Sequence, residues 1–491
     1  MTKLGIDIDE LRAGWGKPKE TEPPLLLDPQ APLDNAREFA RRCCYRDGTS
    51  EVWFWGDGFW RWNGQHYAPY DKEQLRGQVY SFLDGALRRN TENSRFRPKR
   101  SHVEELLDAL RACLALDPNC VPPMWLDSEE PAGDWIVFRN CIVHVWTLER
   151  RPLTHRLWSQ SGLGFDWDPE AECETWWRFL DDLFGDDWES VRFLMEFMGY
   201  CMTGDVRFEK GAMLIGPARS GKTTIVYAIG LLTGEGAYVG LSLNDWLGSA
   251  KATQVLIGKR VLAFPDVRLK PGKMWGQNYD PGGIDHRSCE LMLKITGRDK
   301  VSIPRLYAEA WNGVLPGKFV LTSNEVVNFN DDSGVLPTRF VKLQFRNSFF
   351  GREDITLREK LAAELPGIAK YCMGAYQQLC ERAEKGGGFV QPASGTELER
   401  AVLAKSNPFT VMAQECFVPD PAGEVVKTVA YGRFELWCYA NKREDLLLKV
   451  PPNEFGARLR AVVGFENLTD RRPGGQPRHW VGISLRQKEG K

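Results

Sequence analysis

Residues 216–224 read GPARSGKTT: a glycine, four residues, then Gly221-Lys222-Thr223. That spacing lets a loop wrap phosphate oxygens with its own backbone N–H groups, provided a strand precedes it and a helix follows. The apolar run Ala212–Ile215 is long enough to end a strand, and TIVYAIGLL after the loop can form a helix. The positive end of such a helix favours an anion. On these grounds Gly216, Pro217, Ala218, Arg219, Ser220, Gly221, Lys222, Thr223 and Thr224 are the expected nucleotide-binding residues. Lys222 would meet the β and γ phosphates, and Thr223 would ligate the accompanying Mg2+.

Downstream, three polar residues follow or precede apolar runs. VLAF (261–264) ends at Pro265-Asp266, where a carboxylate either holds a metal's hydration shell or caps the strand. FVLTS (319–323) ends at Asn324, whose amide either senses a γ-phosphate and orients water or simply forms a turn. Arg339 leads into a fourth run, and there it is either a solvated side chain or a charge-stabilising finger aimed at a neighbour's nucleotide.

The elements that must position these residues follow from periodicity. Residues 17–33, rich in Pro and charge, predict an irregular arm over 1–33. WFWGDGFWRWNGQHY alternates aromatic and polar positions with Gly-Asp-Gly and Asn-Gly turns, which predicts short antiparallel strands between Val52 and Tyr67. Its tryptophans, 53, 55, 60 and 62, either pack one sheet face or stack bases. Helices are expected over Lys72–Arg89 and His102–Leu114, separated by the basic run RRNTENSRFRPKR, and a strand pair around Arg139-Asn140. These pieces make a mixed α+β N-terminal domain, 34–173. Trp177, Leu180 and Leu183, then Trp188, Val191, Leu194, Met195 and Met198 recur at helical spacing, predicting a helical collar over 174–204. Residues 205–350 alternate strand-like and helical segments, as an α/β core does. A helical lid (351–385), a Gly- and Pro-containing linker (386–404) and a final domain (405–491) complete the chain. In that last domain Phe455, Leu459, Val462 and Val463 share a helical face. Arg471-Arg472-Pro-Gly-Gly-Gln-Pro-Arg478 then reads as a turn and His479–Leu485 as a strand. Helix, basic turn, strand is the pattern of a winged-helix-like DNA-binding module, with Arg471, Arg472 and Arg478 as its contacts; a solvated basic tip is the alternative.

At 491 residues the chain is too long for one ordinary core and should hold two to four domains. Its net charge of -2 gives no global field for nucleic acid, so contacts must come from local basic clusters. The 12 cysteines include no Cys-x-x-Cys pair, which argues against a zinc module, and adjacent Cys43 and Cys44 read as reduced thiols. With neither a signal-like N-terminus nor a run approaching ~18 apolar residues, a cytoplasmic location is expected. A primase site needs clustered carboxylates; the close acid pair Asp7 and Asp9 falls in the expected arm, so an intact primase is not expected.

The order of these segments resembles the superfamily 3 helicase domain of the phage and plasmid primase-helicase family, related to the poxvirus uncoating nucleoside triphosphatase. The matching pieces are LIGKRVLAFPDVRL, ELMLKITGRDKVSIPR, KFVLTSNE, DDSGVLPTRFVKL and NSFFGREDITLREKLAAELPGI, together with the phosphate loop. LDNAREFARR, FWRWNGQHY and WWRFLDDLFGD resemble the domain that precedes the helicase in that family. The resemblance implies an AAA+-like P-loop core, ATP with Mg2+ as cofactors, and a homo-oligomer, typically hexameric, encircling DNA. It implies Walker A roles for Lys222 and Thr223, a Walker B role for Asp266, a sensor role for Asn324 and a finger role for Arg339. By the same resemblance the helicase-specific motif would be Lys294–Asp299 with the following hairpin, whose Lys300 and Arg305 would hold strand phosphates, with Arg298 beside them. Arg298 stands where many relatives carry an acid. No second acid adjoins Asp266, and Glu290 is the candidate water-activating base. The implied activity is ATP-dependent DNA unwinding in replication of a phage, plasmid or mobile element, in a bacterial or infected host cell and alongside a primase or initiation partner. An origin-binding or helicase-loading ATPase is the alternative. On physical grounds, an arginine supplied in trans couples neighbouring sites, and a heterologous contact that closes on itself makes a ring.

Overall fold

The computed structural model describes residues 24–486 except 90–93, 118, 119, 121, 235, 244, 245, 247–252, 268–270, 276, 277, 306, 307, 332, 333, 442, 463 and 472–476. Apolar runs with no polar face can be satisfied only by burial on both sides, which parallel strands between helix layers provide. Five strands form one sheet, its central ones being runs of this kind: β1 (Gly211–Ile215), β2 (Tyr238–Gly240), β3 (Val261–Phe264), β4 (Lys318–Ser323) and β5 (Phe340–Gln344). Every neighbouring pair is parallel, in the order β2-β3-β4-β1-β5. The chain is thus of the mixed α/β class. Every residue of β1, β3 and β4 is buried.

Helix α1 (Lys222–Thr233) follows β1 directly, and helix α2 (His286–Thr296) precedes the hairpin Lys300–Arg305/Ala308–Val314. Along the first hairpin strand Val301 and Ile303 point into the core while Lys300, Ser302 and Pro304 face solvent, the alternation a one-sided strand requires. Within 174–204 the chain forms helices Glu174–Phe184 and Trp188–Met202. Most of the expected lid, Leu365–Glu384, packs in the same core as Trp188–Met202, with Tyr200 and Tyr376 stacked at 6.4 Å. The stretch expected as a linker departs from that expectation. Residues Thr396–Ser406 form a helix, because Leu398 and Val402, one turn apart, are buried against the sheet's second core.

Two cations close the sheet's N-terminal end. Lys318 donates to the Thr203 carbonyl at 2.8 Å and lies 4.5 Å from the centre of the Tyr200 ring. Arg260 donates to the carbonyls of Met202 (2.9 Å) and Thr233 (2.7 Å) and to Ser161 Oγ (2.9 Å). Both therefore meet the negative end of helix Trp188–Met202. Burial pushes Lys318 down to about 7 and Arg260 down to about 10.

The final segment has its own core around Phe434, Phe455 and Trp480. Helices Pro408–Cys416, Lys427–Ala440 and Pro452–Arg460 pack on an antiparallel sheet ordered Phe417–Val426, His479–Leu485, Thr469–Arg471.

The described residues from 24 to 120, with 154–158, form one compact unit; those of 122–153 and from 159 to 486 form the other. The first unit contains helices Pro32–Cys43, Lys72–Asp84 and Arg100–Cys113 and an antiparallel sheet, Val52–Trp55, Gly58–Trp62 and Tyr67–Pro69. The second helix stops at Asp84 rather than Arg89, because Leu87-Arg88 pair as a strand with Leu26-Leu27. Trp53, Trp55, Trp60 and Trp62 are all half-buried, with Trp53 facing Trp60 across the sheet. No helix among the described residues is long and apolar enough to cross a membrane.

Candidate nucleotide-binding site

In a parallel sheet every strand delivers its following loop to the same edge, and ligands bind there. β1, β3 and β4 are adjacent in the sheet, so their C-terminal ends bring the 216–224 loop, Asp266 and Asn324 together. The Gly216 N–H donates to the Ser323 carbonyl at 3.2 Å, tying the loop to the strand end that carries Asn324. Gly221 caps α1 with φ 87°, a left-handed conformation suited to glycine, and a Cβ there would lie 2.7 Å from Leu183. The loop's course into the helix thus depends on this glycine.

Lys222 is buried. Its Nζ donates to the carbonyls of Gly216 (2.7 Å) and Pro217 (2.6 Å) and to Ser220 Oγ (3.1 Å). Burial lowers its pKa, and the carboxylate of Asp266 acts against that, which places the two in electrostatic reach of each other. Thr223 is exposed at the first turn of α1.

Asp266 is exposed and adopts φ 56°. Aspartate is among the few non-glycine residues that take up this conformation. Two hydrogen bonds hold it here: the Asp266 N–H donates to Thr322 Oγ1 at 2.7 Å, and the Val267 N–H donates to the Thr322 carbonyl at 2.7 Å. Thr322, itself buried, therefore sets the direction of the aspartate, a role with no signal in the sequence beyond a hydroxyl in an apolar strand. Asn324 is exposed beyond β4.

A buried ammonium, a helix N-terminus, an exposed Thr223 and an exposed Asp266 thus lie at one end of the sheet. A helix N-terminus and an ammonium favour phosphate, and a hard divalent ion takes hydroxyl and carboxylate oxygens, so these are the residues that could hold a nucleotide and its cation.

The other expected site residues lie elsewhere. Glu290 is exposed on α2, with its carboxylate accepting from Lys294 Nζ at 2.7 Å; that ammonium holds its pKa below the usual range. Lys300 is exposed and Arg305 half-buried on the hairpin. Arg339 ends the turn Leu336–Arg339, immediately before β5. Because β5 runs parallel to β1, with Phe340 level with Gly211 and Gln344 level with Ile215, Arg339 stands at the opposite end of the sheet from the phosphate loop. Five strand residues span ~16 Å, beyond the reach of an arginine side chain. Arg339 is ion-paired with Glu209, which also pairs with Arg298 Nη2 at 2.9 Å. The guanidinium of Arg298 is thus occupied within the chain. In the final segment Arg471 pairs with Glu424 and Arg478 is exposed, while Arg472 lies outside the described residues, as do Asp7 and Asp9.

Residues 36–185 match the family model described as D5 N terminal like. Among solved structures, the chain is similar to the A-form apo C-terminal region of NrS-1, at 11% identity and TM-score 0.44, with 93% of this chain and 100% of that chain covered. A second apo structure of that region gives 12% identity and TM-score 0.45 over 93% and 100%.

Proposed function

We propose that the chain is an ATP-dependent DNA helicase of the superfamily 3 type, acting as a ring in the replication of a phage, plasmid or mobile element. What supports this most directly is the division of polar residues between the two ends of the parallel sheet. Lys222, Thr223, Asp266 and Asn324 gather at one end, and Arg339 stands at the other, out of reach of its own chain's loop. If Arg339 serves a triphosphate, that triphosphate is a neighbour's, and the active unit is then an oligomer, a hexamer by family resemblance.

In this reading Lys222 and the α1 N-terminus hold the phosphates of ATP, and Thr223 and Asp266 hold Mg2+, which neutralises charge on the phosphoryl oxygens. Asn324 orients water, and Arg339 stabilises the transferring group in trans. Lys300 and Arg305 on the hairpin, and Arg471, Arg472 and Arg478 on the winged-helix-like module, are the proposed DNA contacts.

Unwinding of a forked duplex tests the proposal. Strand separation that requires ATP and is lost in Lys222→Ala is the expected result. ATP-dependent DNA binding without strand separation would instead identify an origin-binding or loading protein.

A further inference from the structure

Glu209 lies in the turn between helix Trp188–Met202 and β1, and its φ of 53° is left-handed. Its carboxylate serves two cations from distant parts of the chain. Oε2 accepts from Arg339 Nη1; Oε1 accepts from Arg298 Nε at 3.0 Å. Arg298 also has positive φ, 60°, and sits between α2 and the hairpin that begins at Lys300. Beside them Lys210 Nζ donates to the Thr338 carbonyl at 2.6 Å, fastening the residue before Arg339 to the residue after Glu209. The Arg339 side chain is 27% exposed and that of Glu209 24%, so the pair is more shielded from water than an ordinary surface ion pair. Burial raises the Glu209 carboxyl, yet the two guanidiniums outweigh it and hold it below the usual range.

We infer that Glu209 is a positioning residue: it orients the Arg339 guanidinium for presentation to a neighbouring copy, and Arg298 in turn holds Glu209. This rests on the proposed role of Arg339 in trans. A free arginine samples many rotamers, and each one frozen in advance is conformational entropy not lost when the neighbour's triphosphate is engaged. A carboxylate anchored from its other oxygen can hold one such rotamer, and an arginine at position 298 provides that anchor.

The test is steady-state ATP hydrolysis by the full chain carrying Glu209→Gln, with thermal melting as a check on folding. The expected result is a kcat lowered ~10-fold or more with the KM for ATP within ~3-fold of wild type, since the Lys222 crevice is untouched. Glu209→Asp, which keeps the charge, should recover part of kcat, and Arg298→Ala should show a smaller loss of the same kind. Mixed 1:1 with Lys222→Ala, Glu209→Gln should gain activity over either variant alone, because the Lys222→Ala copies supply a properly held Arg339. Mixed with Arg339→Ala it should not. An unchanged kcat in Glu209→Gln overturns the inference if Arg339→Ala is inactive. If Arg339→Ala is itself fully active, the trans role fails first. Loss of kcat together with a lowered melting temperature in both Glu209→Gln and Glu209→Asp assigns Glu209 to folding and also overturns it.

Discussion

Lys318 is a buried lysine whose ammonium lies among a carbonyl and a ring, those of Thr203 and Tyr200. Burial lowers it from 10.5 to about 7, so between those values the unfolded chain binds the proton and the folded chain does not. Stability therefore rises with pH across that window. Wild type should gain on Lys318→Met as pH is raised from 7 to 10, by up to about 1.4 kcal/mol per pH unit, read as the difference in urea midpoints. A parallel pH dependence in the two proteins would show Lys318 to be charged in the fold throughout. Thr322→Val removes the hydroxyl that accepts from the Asp266 N–H. Losing about 1 kcal/mol of orientation should cut kcat ~5-fold while the melting temperature changes little, as hydrolysis and calorimetry on the same sample would show. Lys222 and Asp266 were legible because each follows an apolar run in a recognisable order. Thr322 and Glu209 were not, because their partners are 56 and 130 residues away and only the folded sheet brings them near.

At the scale of elements, close approach decides more than pattern. A Cβ on Gly456 would fall 2.0 Å from the Trp480 ring, so helix Pro452–Arg460 lies against strand His479–Leu485 only because that residue is glycine. Gly456→Ala should destabilise this segment by ~1–3 kcal/mol, measured as faster amide exchange over 452–485 while the sheet core stays protected. Four of the five strands of the parallel sheet and most helices were readable from their period, whereas the short strand Tyr238–Gly240 was not. Helix Thr396–Ser406 was not, since its buried positions Leu398 and Val402 are too few to outweigh the Gly- and Pro-rich run ahead of it. The end of helix Lys72–Asp84 was also hidden, because a two-residue strand pairing with Leu26-Leu27 sets it.

For the whole molecule, the distance between Lys222 and Arg339 makes subunit mixing the informative measurement. Lys222→Ala and Arg339→Ala should each be inactive alone. Mixed 1:1 they should regain hydrolysis at about a quarter of the interfaces, since intact lysine and intact arginine then meet by chance across a heterologous contact. No recovery in any proportion, with poisoning by inactive copies excluded by titration, would sink the shared site. The sequence by itself determined four of the five strand runs of the parallel sheet, the glycine-lysine loop and the order in which polar residues follow the strands, because these depend on local period and on the few residues either side. Tertiary structure alone decided that Asp266 is turned by Thr322, that Arg298 is held by Glu209, and that Arg339 faces away from its own chain's crevice. Those outcomes depend on strand order and on which buried or half-buried charges find each other, and neither is encoded within any one segment.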